Sequence, residues 1–294
     1  MLRKIDNGIL FMLGSALISA LNGALTKILT QDISALEVVF FRNFIGIFLI
    51  LYVLKHTPPT LSGGKFHLLF LRGFFGFTAM ILFFYTIAEI PLGEAITLNK
   101  TSPFFVTILA FFLLGEHLTL RTAIALFIGF SGTVLITKPF GFAFSYIDFL
   151  GLLGGFFAAA AYTTIKKIKD IYDSRVIVLS FVFIGTLLPA FLFIIANFVQ
   201  PVSSLTFLFP QFIVPQSWQI WMLIIFMALI STLSQWLLTK AYSSKNLSII
   251  GVISYTNIPF AIGFGFLLGD DFPDTLTFTG IALIVLGGIL VSKK

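Results

Sequence analysis

The chain contains no cysteine, which excludes disulfides, thiol nucleophiles and thiolate metal sites. Charge is scarce as well: 10% of the residues are Asp, Glu, Lys or Arg, against about 25% in an ordinary soluble domain. A 294-residue chain that is 58% hydrophobic cannot cover a water-facing surface with so few charges. The composition therefore predicts an all-α polytopic membrane protein. Histidine occurs only at His56, His67 and His117, in connectors between apolar runs and without metal-ligand spacing, and reads as solvated loop residues. No histidine lies inside an apolar run and no H-E-x-x-H is present, so the chain lacks the parts of an intramembrane enzyme; neither metal nor cofactor is expected. Asp and Glu are also missing from the middle of every run. A protein that handles lipophilic cations would keep a carboxylate there, so anionic, zwitterionic or neutral ligands are favoured.

What is present is a series of apolar segments. Ten approach the roughly 20 residues that a membrane span needs, at approximately 8–28, 36–54, 67–88, 94–114, 121–137, 147–166, 176–198, 219–239, 249–268 and 276–292. Arg3 and Lys4 precede the first in the manner of a signal peptide, but the run is long, lacks an A-x-A site and is followed by similar spans, so it reads as retained. The formal charge of +6 sits in short connectors, which points to membrane orientation and not to nucleic acid. With a cytoplasmic N-terminus, fourteen Lys and Arg residues fall inside, Arg72 among them. Lys27 and Lys138 fall outside, and Arg42 and Lys100 lie within spans. Both termini are then cytoplasmic. The long connector 199–218 carries Pro201, Pro210 and Pro215 and no charge. It reads either as a segment resting on the outer leaflet or as a flap over an external vestibule.

The most informative stretch is Glu94 to Glu116. A lysine lies within this apolar run, beside Asn99, Thr101, Ser102 and the helix-distorting Pro103. The cadence returns at Ser254-Tyr255-Thr256-Asn257-Ile258-Pro259, and Leu113-Leu114-Gly115-Glu116 matches Leu267-Leu268-Gly269-Asp270. Such pairs imply ten transmembrane helices as two five-helix repeats, residues 1–140 and 141–294. Five is odd, so the repeats are inverted, with a site expected near mid-bilayer where they meet.

These features resemble the ten-helix branch of the drug/metabolite transporter superfamily, whose members carry two EamA-type domains. The residues behind the resemblance are Glu37-Val38-Val39-Phe40-Phe41-Arg42-Asn43, Arg72-Gly73, Pro91-Leu92-Gly93-Glu94-Ala95, Ser102-Pro103, the acid-capped Leu-Leu-Gly motifs, Gly132 and Gly287-Gly288. The match spans essentially the whole chain, with Asp270 standing where glutamate is usual. It implies a permease, a secondary transporter of small metabolites, often amino acids or their derivatives, in the bacterial inner membrane. Some relatives take up S-adenosylmethionine or other cofactor-like solutes. A membrane scaffold is the alternative outside transport, but it has no use for an intramembrane lysine. The expected partners are a small-molecule substrate and the lipid bilayer, with no nucleic acid; the chain would work as a monomer or homodimer.

Candidate binding residues follow from cost, because an ionised side chain in hydrocarbon persists only with compensation. Lys100 lies about 9 Å inside Glu94 and Arg42 about 8 Å inside Glu37, at 1.5 Å rise per residue. Together they could hold a carboxylate or phosphate; alternatively each snorkels to lipid phosphates or pairs with Glu37 or Glu94. Asn99, Thr101, Asn22, Tyr85, Tyr162, Gln235, Tyr255 and Asn257 are the further polar candidates. Singly each reads as an interhelical hydrogen bond, and as a set they suggest a wet cavity. The spacings Gly151/Gly155 and Gly265/Gly269 read as close helix packing.

Overall fold

The computed structural model describes residues 7–60, 63–114, 120–137, 145–199, 201–243, 250 and 253–292, and these are all-helical, with no strand. The helices are α1 (Asn7–Leu29), α2 (Ala35–His56), α3 (Phe66–Glu89), α4 (Leu92–Asn99), α5 (Ser102–Leu114), α6 (Leu120–Thr137), α7 (Tyr146–Ile168), α8 (Ser174–Ala196), α9 (Trp218–Tyr242), α10 (Asn257–Leu267) and α11 (Thr275–Ser292). Among the described residues, seven stretches are long and apolar enough to cross a membrane: α1, α2, α3, the α4–α5 pair, α7, α8 and α9. Shorter apolar stretches lie in α6 (Ala123–Gly132), α10 and α11 (Thr275–Gly287). The molecule is a multi-pass membrane protein.

Local chemistry sets the helix ends. Ser34 begins α2 and Ser145 begins α7, each in a capping box closed by the acid three residues on, Glu37 and Asp148. Such caps satisfy amide groups that the first turn leaves without a carbonyl. Asp173 caps α8, and the neighbouring Arg175 guanidinium holds its carboxyl below the usual range through a 2.8 Å hydrogen bond. Proline breaks the fourth segment: Pro103 is the second residue of α5 and lacks the N–H that an unbroken helix would bond to the Asn99 carbonyl four residues back. The chain therefore leaves α4 at Lys100–Thr101 and restarts at Ser102. Tyr255–Thr256 turns in the same way ahead of Pro259 in α10.

Apolar contact assembles the bundle. α1 packs on α9 and α10, α3 on α7 and α8, α2 on α8 and α9, α5 on α7, α4 on α10, and α6 on α11. The outside is apolar, with Phe48, Phe127, Phe183 and Phe191 all more than half exposed, as suits a hydrocarbon solvent. Glycines permit the closest crossings: a Cβ on Gly73 would lie 2.6 Å from Ile184 and 2.7 Å from the Ser180 carbonyl. One on Gly155 would lie 2.6 Å from Thr101 Oγ1 and 3.2 Å from the Leu98 carbonyl, so α7 seats the α4–α5 break. Gly265 fits the packing expectation, against Asp270 and Leu92. Gly269 does not: nothing lies near it, and its φ of 93° makes it the turn after α10.

Connector residues 201–217 dock on the end of the bundle. Within a 3₁₀ turn at Ser203–Leu208, the Phe207 ring stacks 4.4 Å from Tyr85. Phe212 meets Phe40, Phe41 and Phe193 at 5.0–5.8 Å between ring centroids. The Glu37 carboxylate accepts from the Ile213 amide at 2.5 Å.

Candidate functional site

A cavity of about 110 Å³ lies inside the bundle, walled by α1, α2, α3, the α4–α5 break, α7, α8, α9 and α10. That is several times the ~10–15 Å³ that a cavity needs to hold one water molecule. Three cations line it: Arg42, Arg72 and Lys100. No Asp or Glu is among its lining residues.

Arg42 reaches in from α2 and is 6% exposed, too deep to snorkel. It does not pair with Glu37, whose carboxylate is taken by Ser34 and the Ile213 amide. Its guanidinium donates to the Met80 sulfur and lies 5.6 Å from the Phe84 ring and 5.7 Å from Phe181. Arg72 enters from α3, is 2% exposed, and lies 4.8 Å from the same Phe181 ring. The connector assignment of Arg72 is thus corrected: α3 begins at Phe66, so Arg72 is already more than a turn inside it. Gly76, one turn further on, has no Cβ and leaves the space that the Arg72 guanidinium and the Phe181 edge occupy. Nε of both arginines lacks a hydrogen-bond partner. Cation–π contacts offset part of the burial, at about 0.5–2 kcal/mol each, against several kcal/mol to desolvate an ion.

Lys100 follows the last turn of α4, where its amide closes the helix on Ile96. The C-terminal end of a helix dipole favours a cation there. Among the described residues no ion pair and no side-chain hydrogen bond engages its ammonium group. The pairing with Glu94 considered from sequence is not formed.

Of the other candidates, Asn99, Asn22, Tyr162, Gln235 and Asn257 also line the cavity. Asn22 accepts from Ser231 at 2.9 Å, and Asn257 donates to the Ala16 carbonyl at 2.6 Å. Tyr162 stacks on Tyr242 at 4.6 Å. Three candidates stand apart. Thr101 turns back to donate to the Leu98 carbonyl, Tyr85 lies beneath connector residue Phe207, and Tyr255 is buried with its hydroxyl unpartnered. Sequence reasoning missed Arg72, Phe181, Ser19 and Ser234 as cavity residues. The position of Arg72 inside its own apolar run was the signal available for it.

A second charged cluster closes the end where α1 finishes. Lys27 forms an ion pair with Asp270, whose other oxygen accepts from the Leu92 amide at the start of α4 at 2.9 Å. One carboxylate thus ties together α1, α4 and the turn after α10.

The sequence profile of the EamA-like transporter family matches residues 6–138. The pseudopaline exporter of Pseudomonas aeruginosa is 32% identical over 286 residues, covering 97% of this chain and 95% of that protein. The S-adenosylmethionine uptake transporter of Rickettsia prowazekii is 25% identical over 280 residues, covering 95% and 90%. A solved crystal structure superposes with a TM-score of 0.65 at 17% identity over 96% of this chain and 95% of that one, which shows a shared fold. With a relative this similar along nearly its whole length, and transporters on both sides of the comparison, the chain belongs to the EamA-like transporter family.

Proposed function

We propose that this chain is a secondary transporter that moves a small polar metabolite, an amino acid or amino-acid derivative, across the bacterial inner membrane by alternating access. The observation that carries the reading is the cavity: it draws walls from both halves of the chain and holds three cations with, among the described residues, no carboxylate in its lining. Lys100 and Arg42 bind the cargo's anionic group, with Asn99, Asn22, Tyr162, Gln235 and Asn257 as neutral hydrogen-bonding partners. Thr101, Tyr85 and Tyr255 act at one remove, holding the walls. A sulfonium cargo such as S-adenosylmethionine suits this lining less well than an acidic one.

The architecture proposed is ten spans in two inverted repeats, residues 1–140 and 141–294. Exchanging α1 for α7, α2 for α8, α3 for α9, α4–α5 for α10 and α6 for α11 turns the helix pairings largely into themselves. The α1–α9 pair becomes α7–α3, and α2–α9 becomes α8–α3, while α2–α8 and α6–α11 map onto themselves. Connector contacts support cytoplasmic termini. Lys27 meets Asp270, Glu37 meets Ile213, and Tyr146 meets Ser204, all residues that the charge bias puts outside. Arg175 meets Thr57, and Gly63 meets Ile171, all on the other side.

The test is labelling of single cysteines in the cysteine-free chain. Asn22→Cys and Asn257→Cys should react with membrane-impermeant thiol reagents from either face of sealed vesicles, and cargo should slow both reactions. A membrane scaffold would leave both positions silent from both sides.

A further inference from the structure

Resting on the transporter reading, we infer that the cargo carries at least two anionic groups, and that Arg72 is a binding residue equal in rank to Arg42. The two guanidiniums lie by one ring, at 5.7 Å and 4.8 Å from the centre of Phe181, and both side chains line the same cavity. Both side chains are more than nine-tenths buried, and each keeps an unpartnered Nε. Arginine's planar fork suits a carboxylate or phosphate gripped by two parallel hydrogen bonds. Phe181 and the gap at Gly76 hold the forks in place before any ligand arrives. Lys100 enters from another wall, at the α4–α5 break, as a compact point charge beside Asn99.

Charge matching sets the number of anionic groups. The lining carries three positive charges and no acid. A zwitterion brings no net charge to it and a monoanion leaves two cations uncompensated, whereas a dianion or trianion neutralises most of it. A second anionic group also gives Lys100 a partner that a single carboxylate gripped by the arginine pair does not supply. The class is therefore a small dicarboxylate or tricarboxylate, including acidic amino-acid derivatives, or a phosphorylated metabolite of similar size.

The experiment is thermal stabilisation of the purified full chain in uncharged-lipid nanodiscs at constant ionic strength. The matched probes are succinate against propionate, citrate against acetate, and glycerol 3-phosphate against glycerol. At least one polyanion should stabilise the wild type at a tenfold lower concentration than its match. The succinate or citrate arm responding alone identifies carboxylate cargo, and the phosphate arm responding alone identifies phosphorylated cargo. R72Q and R42Q should each reduce the preference at least tenfold, and R72K should recover part of it. The inference is overturned if no polyanion outperforms its match, or if R72Q keeps the wild-type preference while remaining folded by circular dichroism. Cargo-sensitive labelling of Asn22→Cys without a polyanion preference would leave the transporter reading standing and this inference refuted. Polyanion stabilisation without access from both faces would do the reverse.

Discussion

Two groups of charges in this molecule are treated in opposite ways. At the end where α1 finishes, every contact described above is complete. Lys27 has Asp270, Asp270 also has the Leu92 amide, and Glu37 has Ser34 and the Ile213 amide. Around the cavity, among the described residues, Arg42 and Arg72 find aromatic faces and a sulfur, and Lys100 finds a helix end. Glu37 in the first group is as buried as Arg42 and Arg72 in the second, so burial alone does not separate them. Charges that fold the protein are satisfied by the protein, whereas charges kept unsatisfied need water or a ligand to compensate them. On this view the paired group holds one end of the bundle shut and the unpaired group is held open for cargo.

The contrast can be broken most sharply at Lys100. Lys100→Ala should lower transport into proteoliposomes about 100-fold, the loss of a charge-assisted contact worth about 3 kcal/mol, while the chain still folds. Lys100→Arg should retain part of the rate if charge alone matters, because the fork is bulkier and planar. A rate and KM equal to wild type in Lys100→Ala would return Lys100 to the structural group.

Phe181→Leu comes next. It removes the ring that both guanidiniums flank while leaving their charge, and should weaken cargo binding about tenfold through lost orientation. Isothermal titration against the best probe from the stabilisation series reads this directly. An unchanged affinity would mean that the ring only fills space.

Asp270→Asn probes the paired group. It should cost about 1–2 kcal/mol of stability by stranding Lys27, since the pair is only partly exposed. Combining it with Lys27→Met should restore some of that loss. Cargo affinity measured in one fixed state should stay within about twofold, because neither side chain lines the cavity. The smallest effect is expected from Ser34→Ala, which opens the α2 capping box. About 1 kcal/mol of stability should go, with transport kinetics unaltered. A large change in KM from either substitution would dissolve the distinction between the two groups.

Much of the fold can be read in the sequence because hydrocarbon is an exacting solvent. Long apolar runs had to become helices, since no water is there to satisfy a bare backbone, and Ser102-Pro103 had to interrupt one of them. Lys100, Arg42 and the deep amides reach the cavity for the same reason, as polar groups inside a span gather where water or ligand can meet them. Arg72 was lost because a count of cations by connector does not measure depth. Its six residues past Phe66 convert a surface charge into a buried one, as its place inside the run 67–88 already implied. Thr101 and Tyr255 lie at backbone breaks, where helical periodicity no longer says which way a side chain turns. Tyr85 is claimed by Phe207, more than a hundred residues away in sequence, and no local pattern announces such a contact.

The most direct measurement of the central claim is the stability of two lysine variants without any ligand. Lys100→Gln and Lys27→Gln remove the same charge, one from each group, and chemical or thermal unfolding in nanodiscs compares them. Lys27→Gln should lose about 1–2 kcal/mol, because Asp270 is left without its partner. Lys100→Gln should fall within about 0.5 kcal/mol of wild type or exceed it, as expected where a site residue has no partner to lose. Equal destabilisation of the two would contradict the account, since Lys100 would then be held by the protein and not reserved for cargo.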